Sequence, residues 1–305
     1  MTGWNRVATV PMQRSLFDSI AVSQRKLGEA QQQMATGKKA PDFASLGIET
    51  MRTLSARTLL ARQEAHAAVG ERVETTLSLM DTQISGIEDA LNKLRDGLLT
   101  AVGTGNAEGL QEIAEEAFQR FRSALNSDEA GAFLFAGSRV AEAPFRPATL
   151  ASTAGLATTA AFANDEVEAR ARVADGLDVT YGITASRLGA ELFEAFRTLA
   201  DSGTIADVPS AAQMGALTQA VGQVNEGLKT VRSLHAENGR RQAQVEDLTE
   251  RAGGRALILE RLVARNEDAD MAEVASTLVQ RQTALEASYS LFARLSGLSL
   301  VNFLR

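Results

Sequence analysis

Four stretches of the chain repeat apolar residues at alternating steps of three and four. The first sets Leu16, Ile20, Ser23, Leu27, Ala30 and Met34 on one line, with a single polar slot. A second runs without a miss through Val73, Leu77, Met80, Ile84, Ile87, Leu91, Leu94 and Leu98. The third carries Met214, Leu217, Val221, Val224, Leu228 and Val231, and the last Met271, Val274, Leu278, Arg281, Leu285, Ser288, Phe292 and Leu295. Such spacing puts one stripe on one face of an α-helix and favours left-handed supercoiled pairing with another helix.

Between these stretches stand breaks. Gly37 and Pro41 end the first, and "GTGNAEG" ends the second near residues 103–109. A further helix is predicted from about Leu110 to Ser127, stopping near Gly131. From roughly 137 to 186 small residues and Thr dominate, and "EVEARARVADGLDVTYGIT" alternates apolar and polar positions. Asp175-Gly176 at its centre predicts a type I′ hairpin turn. Helix returns near Leu188. Ser210 and Gln213, just after Pro209, make a capping box, and Asp270 and Glu273 make a second such signal before the last helix. Gly253-Gly254 is a weak point within the third helical segment.

The predicted fold is mainly α, an elongated antiparallel helical bundle whose long coiled-coil-like helices come from both termini, with a small β-rich insertion. Three parts are expected. Residues 1–40 and 268–305 form a terminal helical assembly domain. Residues 41–136 and 187–267 form a helical rod, and 137–186 a β-rich outer insertion. The stripes of the rod are expected to make an intramolecular core. Those of the terminal segments, polar over much of their surface, are expected to find no partner in their own chain and to bury against other copies. That makes Leu16, Ile20, Leu27, Met34, Leu278, Leu285, Phe292, Leu295, Leu298 and Leu300 the candidate assembly interface. A dilute monomer should then be trimmed by protease to about residues 45–265.

Composition narrows the function classes. The 305 residues are 45% hydrophobic but only 5% aromatic, which suits helix–helix packing better than a thick globular core. The formal net charge is −7 and the pI about 5.1, so no basic footprint for nucleic acid is expected. There is no cysteine, which removes disulfides, thiol nucleophiles and thiolate metal ligands together. No run nears the ~18 apolar residues of a membrane span, and no cleavable secretory signal is expected.

Candidate chemistry is sparse. His66 has no second ligand at a zincin-like spacing, and His235 occupies the next slot of the third stripe, a packing position. "GKK" at 37–39 lacks the glycine spacing of a phosphate loop, and "NEDAD" at 266–270 lacks the glycine and closing Glu of a calcium loop. Arg240-Arg241 reads as a solvated or interfacial charge pair. No catalytic residue, cofactor site or metal site is expected.

Motifs at both ends resemble a known family. "QMATGKKAPDFASLGIETMRTLSAR" resembles the opening segment of bacterial flagellins and flagellar hook-associated proteins, with Gln33, Thr36, Gly37 and Lys38 on the family's turn between its first two helices. "PDFASLG" replaces the Asp-Asp-Ala-Ala-Gly run common in flagellins, which favours the hook-associated branch. "HAENGRRQAQVEDL" and "NEDADMAEVASTLVQRQTALEASYSLFARLSGLSLVNFL" are similar to the family's last two helices, with Asp268, Asp270, Glu273, Leu278, Gln282, Leu285, Ala287 and Leu300 on the pattern. "FLFAGSRVAEAPF" and "LSLVNFL" resemble the branch that joins hook to filament.

The resemblance implies a non-enzymatic structural subunit of the flagellum, exported without a cleaved signal and extracellular. It would assemble with itself as a ring or tube and meet flagellin and another hook-associated protein. An export chaperone would be a further partner, and neither nucleic acid nor membrane insertion is implied. It also makes Phe133, Phe135 and Phe145 the joint that anchors the outer insertion. Two other readings stay open: a short flagellin that builds the filament itself, and a coiled-coil adaptor or chaperone. The adaptor predicts stable helical ends in the free protein.

Overall fold

A computed structural model describes the backbone of residues 4–301 and the side-chain surroundings of residues 14–294. The chain is mainly helical with two small strand pairs. In order, α1 spans Trp4–Thr36, α2 Glu49–Thr104, α3 Leu110–Leu125, β1 Asp128–Glu129 and β2 Ala132–Phe133. Then follow the short α4 Thr158–Ala161, β3 Arg170–Ala174, β4 Leu177–Thr180, α5 Ala185–Asp201, α6 Ala211–Glu267 and α7 Met271–Val301. The chain divides into two units, residues 1–61 with 255–305, and residues 62–254. The division differs from the one expected. Residues 137–186 belong to the same unit as the helices around them, and Gly254 marks a unit boundary inside an unbroken α6.

In the unit of residues 62–254, the second and third stripes meet. Ile84, Ile87, Leu94 and Leu98 from α2 and Leu217, Val224, Leu228 and Val231 from α6 are buried together, and Leu77 of α2 is buried in a second cluster with Val245 of α6 and Val173 and Val179 of the hairpin at 170–180. Three further contacts fix how α6 lies on α2. Asn238 Nδ2 donates to the Leu77 carbonyl at 3.0 Å, Arg232 reaches Glu88 at 2.6 Å, and His235 meets Asp81 at 3.0 Å. The cap before α6 forms as the spacing requires. The Gln213 amide donates to Ser210 Oγ and the Ser210 amide to Gln213 Oε1, both at 3.2 Å.

α3 and α5 widen this pair into a four-helix layer. Gly189 of α5 lies so close to α3 that a Cβ there would sit 2.7 Å from the Phe121 ring. Only glycine lets the two backbones approach that far.

The strand structure is smaller than a domain of its own. β3 and β4 form the expected hairpin around Asp175-Gly176, with Ala174 opposite Leu177. The turn type is not the expected one. Gly176 has φ +71°, but Asp175 is not left-handed, and a register irregularity between Arg172 and Ala174 absorbs the twist. Asp175 is held instead by Arg62 at 3.5 Å and His66 at 3.3 Å on α2. A second hairpin, β1–β2, turns at Ala130 and Gly131, both left-handed at φ 51° and 87°. Ala-Gly is a weak turn signal, so that hairpin escapes a reading of the sequence.

Candidate assembly surface

The unit of residues 1–61 and 255–305 contains both terminal helices, and it corrects one expectation outright. α1 and α7 pair with each other within one chain. The first and last stripes face each other across that pair. Ile20, Ala30 and Val274 are buried, and Leu16, Leu27, Met34, Leu278, Leu285 and Phe292 are half-buried. Phe17 and Phe292 stack edge to face with ring centres 4.9 Å apart, and Gln24 Nε2 donates to the Tyr289 hydroxyl at 2.5 Å. The terminal stripes therefore do have a partner in their own chain, because the two ends run side by side. The side chains of Leu295, Leu298 and Leu300 lie outside the described residues.

Beside the pair sits a polar knot. Gly37, with φ +69°, ends α1, and its amide donates to the Gln33 carbonyl at 2.8 Å. The next residues turn back against the α6–α7 joint. The Lys39 amide donates to the Glu267 carbonyl at 2.7 Å and the Ala269 amide to the Gly37 carbonyl at 2.9 Å. Lys38 Nζ pairs with Asp268 at 2.6 Å, and Arg57 grips both oxygens of Glu267, with Nε 2.6 Å from Oε1. Asp270 caps α7 by accepting from the amides of Ala272 and Glu273 at 2.9 and 3.2 Å. The motif residues Gln33, Thr36, Gly37 and Lys38 near one end and Asp268 and Asp270 near the other are thus one structural feature. Sequence reading found both halves but not Glu267, the buried carboxylate between them, or Arg57, which sits mid-helix with nothing to mark it.

Around this knot the unit leaves large apolar side chains in the open. Ile48 is 94% exposed, Met51 72%, Ile258 66% and Val279 62%, and Phe17, Leu54, Leu257, Tyr289 and Leu291 are exposed as well. Scattered single apolar residues are ordinary on a protein surface, but a crowd of them in one unit points to contact with something else.

The expected phenylalanine joint proves to be part of a core. Phe145 is buried with rings of Phe121 at 5.2 Å, Phe162 at 5.3 Å, Phe118 at 6.0 Å and Phe193 at 6.1 Å from its own. Phe135 is buried in the same cluster, while Phe133 is half-buried on the wall of a cleft of about 190 Å³ with Met80, Val167, Tyr181 and Ile183. Arg241 is interfacial. It donates to the Gly182 carbonyl at 3.0 Å and pairs with Glu237 at 2.6 Å, and Arg187 joins Glu237 to Glu168. Each histidine contacts carboxylates in a packing position, His66 with Asp175 and His235 with Asp81 and Glu88. Among the described residues no group of three His, Cys, Asp or Glu side chains is arranged to hold a metal ion, and no helix is long and apolar enough to cross a membrane.

Residues 7–140 match the bacterial flagellin N-terminal helical region. The chain's similarity then extends past that region to nearly the whole length of particular relatives. It is 24% identical over 326 aligned positions to flagellar hook-associated protein 3 of Salmonella typhimurium, covering 97% of this chain and 98% of the relative. It is 23% identical over 316 positions to the Escherichia coli protein of the same name, again covering 97% and 98%. Among solved structures, a protein assigned as a flagellar hook-associated protein of Vibrio parahaemolyticus superposes with a TM-score of 0.61 at 16% identity, over 72% of this chain and 97% of that one. That likeness speaks to the fold.

Proposed function

We propose that this chain is a structural subunit of the bacterial flagellum, a hook-associated protein at the junction between hook and filament. The observation that carries the reading is similarity end to end, 97% of this chain against 98% of a hook-associated protein 3. A short flagellin would share the amino-terminal helical region, but the full-length relatives are hook-associated proteins. The intramolecular pairing of α1 with α7 is what a coiled-coil adaptor would also display, so helical ends no longer separate those two readings.

The work of such a subunit is contact, not chemistry, and we assign it no catalytic role. Its partners are further copies of itself in a ring or tube, flagellin on one side and another hook-associated protein on the other. It reaches the outside of the cell through the flagellar export route. The assembly surface is the unit of residues 1–61 and 255–305, whose exposed Ile48, Met51, Ile258 and Val279 supply apolar area, together with the outward edges of the α1–α7 stripes. Electron microscopy of cells lacking this chain tests the reading. Bare hooks with flagellin shed into the medium are expected; normal filaments on normal hooks would overturn it.

A further inference from the structure

We propose that Asn238-Gly239 is a deamidation site guarded by folding, so that a chain left unfolded converts there and can no longer close α2 on α6. Of the asparagines in the sequence, only Asn238 is followed by glycine. A following glycine makes an asparagine reactive, because it carries no Cβ to keep its amide nitrogen away from the neighbouring side chain. The proposal concerns residues 62–254 alone and does not rest on the junction reading.

The reaction needs only the chain and water. The Gly239 nitrogen gives up its proton and attacks Asn238 Cγ. The new N–Cγ bond closes a five-membered succinimide ring, the Cγ–Nδ2 bond breaks, and the amide nitrogen leaves as ammonia with that proton. Water then adds to either ring carbonyl. Opening at one gives aspartate. Opening at the other gives isoaspartate, in which the main chain runs through the side-chain carbons.

Folding blocks every step. Asn238 lies inside α6, unbroken over Ala211–Glu267, so the Gly239 amide is committed to the carbonyl four residues back. Asn238 is 0% exposed, which keeps base and water from it. Its Nδ2, the group that must leave, donates to the Leu77 carbonyl of α2 at 3.0 Å.

The same geometry rejects the product. Asn238 is held through its donor alone, and its Oδ1 has no hydrogen-bond partner among the described residues. Either product lacks that donor and sets a carboxylate oxygen against the Leu77 carbonyl. The cations one helical turn away are already taken. His235 is engaged by Asp81 and Glu88, and Arg241 by Glu237 and the Gly182 carbonyl. A buried carboxylate without a partner is strongly destabilising. Isoaspartate also lengthens the backbone, which breaks the hydrogen-bond repeat of α6 in mid-helix. The site falls between Leu234, in one buried cluster of the central unit, and Val245, in the other, so the damage lands in the α2–α6 seam itself.

Mass spectrometry of the full-length protein tests the proposal. Samples are held at mildly alkaline pH with and without denaturing guanidinium, and the peptide Ser233–Arg240 is read for the amide-to-acid mass shift. In guanidinium, Asn238 should convert ahead of Asn92 and Asn225. Without guanidinium its conversion should be slower by about a hundredfold or more. Once guanidinium is removed, unconverted chains should regain the starting melting curve and converted chains should not. Gly239→Ala is the control, since a Cβ there meets nothing within 4 Å and the fold is kept while the reaction slows. Held as long in guanidinium, that variant should refold. Asn238→Asp, made directly, should melt about 5 °C or more below wild type. Asn238→Leu, which removes the amide without adding charge, should lose less. Conversion as fast in the folded protein as in guanidinium would overturn the guard. Converted chains or Asn238→Asp melting with the wild type, or Gly239→Ala lost to refolding as fast as the wild type, would overturn the switch.

Discussion

The two units are built from the same repeat and reach opposite ends. In residues 62–254 the stripe of α2 meets α6 and is then covered by α3, α5 and a phenylalanine cluster, so Ile84, Leu94 and Leu98 are wholly buried. In residues 1–61 and 255–305 an equally regular stripe on α1 meets α7 and stops there, and most of its members remain half-exposed. Heptad spacing decides that a helix will pair. It does not decide how many layers will cover the pair, and layers are what turn a seam into a core. The first unit closes on itself with apolar packing. The second is held by a polar knot and keeps apolar side chains outside, which is how a unit meant to be finished by its neighbours would look.

The comparison breaks most sharply at Ile84. Ile84→Asp puts a charge where none can be solvated, and a loss of more than about 4 kcal/mol should abolish cooperative thermal unfolding of the central unit. Circular dichroism melting checks this; a variant that still melts cooperatively near the wild-type midpoint would show the seam to be less essential than its burial implies. Phe145→Ala should cost about 3–5 kcal/mol, because it opens a cavity ringed by four aromatic partners. Denaturant titration measures that loss, and a change under about 1 kcal/mol would mean the cluster collapses to fill the gap. Leu285→Asp lies in the thinner seam, where water is near. A cost of about 1–3 kcal/mol is expected, read as faster exchange in α1 and α7 without change in the central unit.

Much of this was legible in the pattern of residues. The four stripes located the long helices, and Ser210 with Gln213 and Asp270 marked two helix starts, because capping is local chemistry that neighbours in sequence complete. The hairpin at Asp175-Gly176 was legible as a turn but not in its type, since the contacts of Asp175 come from Arg62 and His66 more than a hundred residues away. The partner of the terminal stripes was not legible, because periodicity says that a face wants covering and not what covers it. Glu267 and Arg57 were hidden for the same reason. A charged residue on a helix looks solvated until a distant segment folds over it. The partners of Phe145, namely Phe118, Phe121, Phe162 and Phe193, lie apart from it along the chain, and only the fold collects them into one core.

In the proposed assembly, copies meet at the apolar side chains left outside the terminal unit, and not only at its seam. The most direct test replaces Met51 and Ile258 by Asp together, since both are exposed and neither substitution should disturb the monomer. The purified variant should keep the wild-type melting curve and the exchange pattern of every described helix. Cells that carry it in place of the natural chain should export it yet show bare hooks by electron microscopy. Filaments of normal number and length on such cells would contradict the claim.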